Sequence, residues 1–252
     1  MLNTLILRYF QGKQFIAEPG NAELEERFRG IPVLNSEKCD KCNKCISVCP
    51  AKAIGIEPFQ LDLGKCIFCG DCERACTAGA IKFTNNHRLS ATERQHLIIK
   101  NAGTADGYIN GAVKVREEIH KIFGRSLKLR QVSAGGCNGC EMELSACSNA
   151  NFDMGRYGIE FVASPRHADG VIITGPVSKN MALALEDTIK SVPDPKIIVL
   201  VGACAISGGV FQDSSQLNRD ILGKYKVDIF VPGCPVHPLT FIDGVRKYIN
   251  SK

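Results

Sequence analysis

Residues 39–49 read CDKCNKCISVC, and the same spacing of four cysteines returns 27 residues later as CIFCGDCERAC, residues 66–76. One run holds Cys39, Cys42, Cys45 and Cys49, the other Cys66, Cys69, Cys72 and Cys76, both as C-x2-C-x2-C-x3-C. A brief apolar stretch follows each, Ile54–Ile56 and Ile81–Phe83. Residues 36–84 therefore read as a pseudo-symmetric pair of Cys-rich loop, short helical turn and strand. So short a segment buries too little apolar surface to hold itself together, and something inorganic must stabilise it. Disulfides fit poorly. The N-terminal MLNTLILRYFQGK lacks the basic start, long apolar stretch and cleavage site of a secretory signal, and the cysteines number an odd 13. Thiols expected in a reducing compartment and clustered this way point to metal.

The run C-x2-C-x2-C-x3-C-P is the ligand pattern of bacterial [4Fe–4S] ferredoxins, in which the fourth Cys serves the other cluster. Cys49-Pro50 completes it in the first copy, whereas the second reads Cys76-Thr77. By the crossed rule Cys39, Cys42, Cys45 and Cys76 hold one cluster, and Cys66, Cys69, Cys72 and Cys49 hold a second. Three thiolates within seven residues wrap the corner of a cube, while zinc fingers favour two separated CxxC knuckles.

From Ser126 onward the pattern becomes alternating β and α. Strands are expected at Leu127–Val132, Ile159–Val162, Gly170–Thr174, Lys196–Val201 and Val227–Val231. Helices are expected at Glu141–Ala150, Asn180–Ser191, Ser214–Lys224 and Leu239–Ile249. Short apolar strands separated by helices predict a parallel, flavodoxin-like α/β sheet, preceded by the small α+β ferredoxin module. Open parallel sheets bind their ligands at the carboxyl ends of the strands. Cys137 and Cys140 follow the first strand, Cys204 the fourth and Cys234 the fifth, so four thiols leave one edge of the sheet. They are candidates for a third [4Fe–4S] cluster. Four thiolates can also hold zinc, and a lone Cys204 or Cys234 could equally be a small buried hydrophobe. Cys147 is left over as a packed helix residue.

The chain thus divides into an N-terminal extension (1–35), the ferredoxin-like module (36–84), a linker with a helix at Val113–Phe123 (85–125) and the α/β domain (126–252). Between Lys82 and Arg130, ten Lys or Arg stand against four Asp or Glu. Anionic clusters offset much of that excess. Nucleic-acid binding is not expected, since no stacking aromatics or helix-turn-helix pattern accompany the charge. The longest apolar run, Ile197–Ile206, is about half the length of a membrane span. Glu141 and Glu143 suit a helix start and are alternative proton carriers. Arg166 and His167 could line the cluster or simply sit in a loop, and His237 is a turn residue. The apolar N-terminal residues Leu2, Leu5, Ile6, Leu7, Tyr9 and Phe10 suit packing on the module or docking on a membrane subunit. Gly202, Gly208 and Gly209 lack the Lys-Ser/Thr of a phosphate loop.

Residues 126–250 resemble the small electron-transfer subunit shared by [NiFe] hydrogenases and respiratory complex I, in GGCNGCEMEL, SPRHAD, GPVSKNMALAL, GACAISGG and PGCP. Residues 28–84, with FRGIP, LGKCIFCGDCERAC and AGAIKF, look like the two-cluster ferredoxin subunit of the same assemblies. The whole resembles a fusion of two neighbouring subunits of a membrane-bound, energy-converting hydrogenase such as formate hydrogenlyase. Complex I brings its first two cysteines as an adjacent pair, whereas Cys137 and Cys140 are spaced as in the hydrogenase branch. The motif PGCPVHP departs from the usual PGCPPRP by placing His237 where the family carries arginine. The resemblance implies three [4Fe–4S] clusters in a redox relay, the third lying next to a nickel–iron centre in a catalytic large subunit. It also implies further iron–sulfur or membrane subunits, and a peripheral place on the cytoplasmic side of the cell membrane. A complex-I-like subunit delivering electrons toward quinone is the alternative.

Overall fold

The computed structural model describes residues 2–12, 14–100, 113, 123 and 126–250. Apart from its two end residues, the helix expected at Val113–Phe123 lies outside them. The N-terminal module contains helix α1 (Leu2–Gln11) and strand β1 (Pro32–Leu34), then helix α2 (Lys44–Ser47) and strands β2 (Ile54–Ile56) and β3 (Phe59–Asp62). Helix α3 (Asp71–Ala75) and strands β4 (Ile81–Phe83) and β5 (Ile98–Lys100) complete it. In β3, Phe59 and Leu61 point inward while Gln60 and Asp62 do not, the period of two that a half-covered strand requires. Strands β2, β3 and β5 form one antiparallel sheet in that order, and β1 pairs with β4 in another. Elements from outside residues 36–84 therefore complete the module: β1 before it, and β5 in the stretch read as linker. The free edge of β3 explains β5, whose Ile99 stands opposite Leu61 and is buried. Helix α1 leaves Leu5, Ile6, Leu7, Tyr9 and Phe10 exposed, so the module does not bury it.

The second unit has strands β6 (Leu127–Ser133), β7 (Ile159–Phe161), β8 (Gly170–Thr174), β9 (Ile197–Val201) and β10 (Ile229–Val231). All four pairings are parallel, in the order β10-β9-β8-β6-β7. Counted within the sheet this is 2-1-3-4-5, the doubly wound flavodoxin order, and the expected α/β fold is the observed one. Every residue of β8 and β9 is buried, as in a strand covered on both faces. The helices are α4 (Gly139–Ala146), α5 (Lys179–Ser191), α6 (Gly202–Ser207), α7 (Asp220–Lys224) and α8 (Pro238–Asn250). Helix α4 stops before the expected Ala150, because Ser148, Asn149 and Asn151 favour turns over helix interior. The helix expected from Ser214 begins only at Asp220. Residues 214–218 spend their backbone groups elsewhere: Asn218 N donates to the Val177 carbonyl at 2.9 Å and Lys179 N to Gln216 at 2.8 Å.

One apolar core runs through both units, since Leu63 and Leu97 of the module pack in the same cluster as Val171, Ile198 and Phe230 of the sheet. Leu129, Ile172, Val199, Phe241 and Val245 fill the other sheet face. Residues 85–97 strap the units together. Ala91 exchanges backbone hydrogen bonds with Phe230 at 3.0 and 2.8 Å, closing the edge strand β10. Ser90 Oγ donates to the Thr240 carbonyl at 2.9 Å, and Thr240 Oγ1 to that of His87 at 2.8 Å. At the head of this strap, a Cβ on Gly30 would stand 1.9 Å from the Asn86 carbonyl oxygen, backbone that cannot swing away. Gly30→Ala is expected to cost about 1–3 kcal/mol, read as a lower denaturation midpoint. An unchanged midpoint would contradict the packing of this junction.

Candidate metal centres

Each copy of the N-terminal repeat winds its thiols inward through left-handed backbone. Lys41 (φ 55°) and Asn43 (φ 60°) in the first copy match Phe68 (φ 55°) and Gly70 (φ 77°) in the second. A bulky residue such as Phe68 takes that conformation only where its surroundings impose it. Alternation between right- and left-handed residues turns successive N–H groups into a concavity that suits an anion. Sulfur atoms also accept backbone donors: Cys49 from Ala53 N at 3.3 Å, Cys66 from Phe68 N at 3.3 Å and Cys76 from Ala80 N at 3.2 Å.

The thiols sort by the neighbours that act on them. Burial raises the Cys45 thiol, and Cys39 and Cys76 add to the shift. Burial pushes Cys66 up to about 12, with Cys72, Cys49 and Cys69 as its charged neighbours. A cavity is lined by Cys49, Cys66, Cys69 and Cys72 together with Leu61 and Phe83. Cys45 and Cys76 therefore meet from different copies of the repeat, and so do Cys49 and Cys66. Cys72, pushed to about 12 by burial, also feels Cys45, so the two sets adjoin.

The third set lies beyond the carboxyl ends of β6, β9 and β10. Cys137 and Cys140 flank Asn138 (φ 69°), which starts α4; Cys204 sits on α6 directly after β9; Cys234 follows β10. Burial, helped by Glu141, Cys204 and Cys234, raises Cys140 to about 12. Burial, Cys234 and Cys137 raise Cys204 to about 11. The four thiols thus face one another. Gly202 has φ 87°, and a Cβ there would stand 2.6 Å from the Cys140 sulfur. Glycine is required there both for the turn and for the space. Among the described residues, no three Cys, His, Asp or Glu side chains stand at the spacing of a single-ion site.

Residues 38–80 match the family described as "4Fe-4S dicluster domain", and residues 137–248 match "NADH ubiquinone oxidoreductase, 20 Kd subunit". A probable membrane-bound hydrogenase subunit of Pyrococcus furiosus is 39% identical over 51% of this chain and 77% of its own length. An NADH-quinone oxidoreductase subunit of Desulfovibrio desulfuricans is 33% identical over 69% of this chain and 92% of its own. The chain belongs to the 20 kDa subunit family. Within that family it carries a fused 4Fe-4S dicluster domain, and its relatives include subunits of a membrane-bound hydrogenase and of NADH-quinone oxidoreductase. Formate hydrogenlyase subunit 7 of Escherichia coli is 39% identical over 52% of this chain, an alignment spanning 51% of that protein.

The donor set of this family member fits an iron–sulfur group. Moving the buried Cys66 thiol from 9.0 to about 12 disfavours its thiolate by about 4 kcal/mol. A bound metal cluster reverses that cost.

The remaining candidates separate. Glu141 is buried, and its Oε1 accepts from Thr174 Oγ1 at 2.6 Å beside Cys140. Glu143 is half-buried and raised by burial. Arg166 and His167 are exposed on a short turn at Pro165–His167. Cys147 is fully buried, its thiol donating to the Glu143 carbonyl at 3.4 Å. His237 lines a cleft with Arg29, Phe68 and Cys234, between the second and third sets. Burial, then His87, lowers it to about 4, so the imidazole stays neutral at pH 7, with Nδ1 accepting from Leu239 N at 3.2 Å. Arg29 donates to the Phe68 carbonyl at 3.2 Å. Arg219, half-buried against α6, gave no signal in the sequence.

Gly202→Ala is expected to displace Cys140, so that any iron and sulfide held by the third set are lost while those of the first two are kept. Full metal content would contradict that geometry. In metal-free protein, where the α/β domain keeps its own core, alkylation of Cys140 should lag behind that of exposed Cys137 at pH 8, because only the thiolate reacts. Equal rates at pH 8 would contradict the burial described.

Proposed function

We propose that this chain holds three [4Fe–4S] clusters and is the electron-relay subunit of a membrane-bound hydrogenase of the formate hydrogenlyase kind. Cys39, Cys42, Cys45 and Cys76 would hold the first, Cys66, Cys69, Cys72 and Cys49 the second, and Cys137, Cys140, Cys204 and Cys234 the third. Bound cubes supply one-electron storage and transfer, and the polypeptide supplies ligands, burial and hydrogen bonds that tune them. The observation that carries the reading is the succession of the sets. Cys72 feels Cys45, and Cys234, raised first by burial, feels Cys69 as well as Cys137. Those influences support an order of first to second to third, with Phe68, Arg29 and His237 at the last junction.

Cys137 and Cys234 are exposed, which leaves the third set open on one side to a catalytic partner. That partner would carry the nickel–iron centre, with other iron–sulfur or membrane subunits completing the complex. Among the described residues no helix is long and apolar enough to cross a membrane, so attachment to the cytoplasmic face would run through those subunits. Residues 36–84 and 126–252 would act as the two redox units. The extent of the match to the Desulfovibrio desulfuricans protein favours a second reading, a quinone-linked complex, although the Cys137–Cys140 spacing resembles the hydrogenase branch. Nickel in the purified complex discriminates between them. Cys204→Ala should remove about one-third of the iron and abolish hydrogen turnover by the complex. Unchanged iron and turnover would refute the third site.

A further inference from the structure

Helix α6 is six residues long, so the carbonyls of Ala205 and Ile206 have no partner within it, while that of Cys204 accepts from Gly208 N at 2.9 Å. It ends at Gly208 (φ 93°), and the chain then runs through an irregular loop before returning at Arg219. The Arg219 guanidinium fills the gap. Nη1 donates to the carbonyls of Cys204 and Pro176, both at 3.0 Å. Nη2 donates to Ala205 at 2.7 Å and Ile206 at 3.1 Å. All four acceptors are neutral. Among the described residues no carboxylate is paired with Arg219, and the one titratable neighbour acting on it is the Cys204 thiol. Arg219 is half-buried, and a cation even partly taken out of water without a counter-ion is favoured by negative charge nearby. A cluster held by four thiolates carries about two negative charges when oxidised and one more when reduced.

We propose that Arg219 raises the reduction potential of the third cluster, holding an uncompensated positive charge against the Cys204 corner while its fork fixes α6. This rests on the reading of Cys137, Cys140, Cys204 and Cys234 as a cluster site. The electron arriving from the second set adds one negative charge with no proton. A fixed cation nearby stabilises that reduced form more than the oxidised one. Arg219 acts on the Cys204 thiol and is not among the main neighbours acting on Cys45, Cys66 and Cys72, so the two ferredoxin-type sets would feel it less. Of the other side chains at the third set, Glu141, beside Cys140, is acidic and His237 is neutral at pH 7, while Arg27 and Arg29 line the cleft on the Cys234 side and so stand between the second and third sets. The downhill direction of the relay would then be built into the chain by one side chain outside every cysteine motif.

The test is a redox titration of the anaerobic full-length chain followed by electron paramagnetic resonance, with the third signal assigned by its loss in Cys204→Ala. Arg219→Gln should lower the reduced-to-oxidised ratio of the third cluster about tenfold at fixed potential, a midpoint about 59 mV more negative. The other two midpoints should stay in place. Arg219→Lys keeps the charge and loses the planar fork, so it should hold the ratio within about twofold even where thermal stability falls. A parental third midpoint in Arg219→Gln overturns the proposal, and so does an Arg219→Lys shift as large as that of Arg219→Gln. Should Arg219→Gln fail to load the third set, the Arg219→Lys midpoint decides by the same criterion. A parent chain holding about eight irons instead of about twelve removes the third cluster itself, a failure distinct from unmoved potentials.

Discussion

The arrangement depends on thiols buried close to one another. Cys66, Cys72 and Cys140 are each pushed to about 12, and in every case burial is the first cause and other thiols are among the rest. Such a set is unfavourable as thiolates in bare protein and favourable around a metal cluster, so in the N-terminal module cofactor and fold form together. That explains why the N-terminal module manages with strands of three or four residues and helices of four or five.

The sheet answers the same need differently. Instead of one winding loop, three separate strand ends each deliver part of the third set, and the doubly wound order brings them to one edge. The rigidity of a sheet buried on both faces then fixes the geometry that a loop would leave to the cofactor. Because the module shares a core with this sheet, the spacing between the second and third sets is fixed by packing, without a tether. Electron transfer between neighbouring sets needs a fixed distance, and the strap through Ala91, Ser90 and Thr240 reinforces it.

Much of this was legible in the sequence, because spacing and periodicity are local. The repeat at Cys39 and Cys66, the alternation of strands and helices after Ser126, and the positions of Cys204 and Cys234 after apolar strands are all short-range patterns. Asn43, Gly70 and Asn138 are residue types that tolerate left-handed backbone, whereas Lys41 and Phe68 adopt it only under tertiary constraint. Strand order was illegible because it is a set of long-range choices. The stretch around Ala91 reads as a polar linker, yet its backbone closes the edge of β10. Arg219 sits in what reads as the middle of a helix, and its role exists only once α6 and the loop at Pro176 are in place.

The most direct test is Mössbauer spectroscopy of the intact, anaerobically isolated, iron-57-enriched chain, with total iron measured on the same sample. The account predicts three [4Fe–4S] clusters and about twelve irons per chain. Two clusters with about eight irons, or zinc in place of iron at any set, would contradict it.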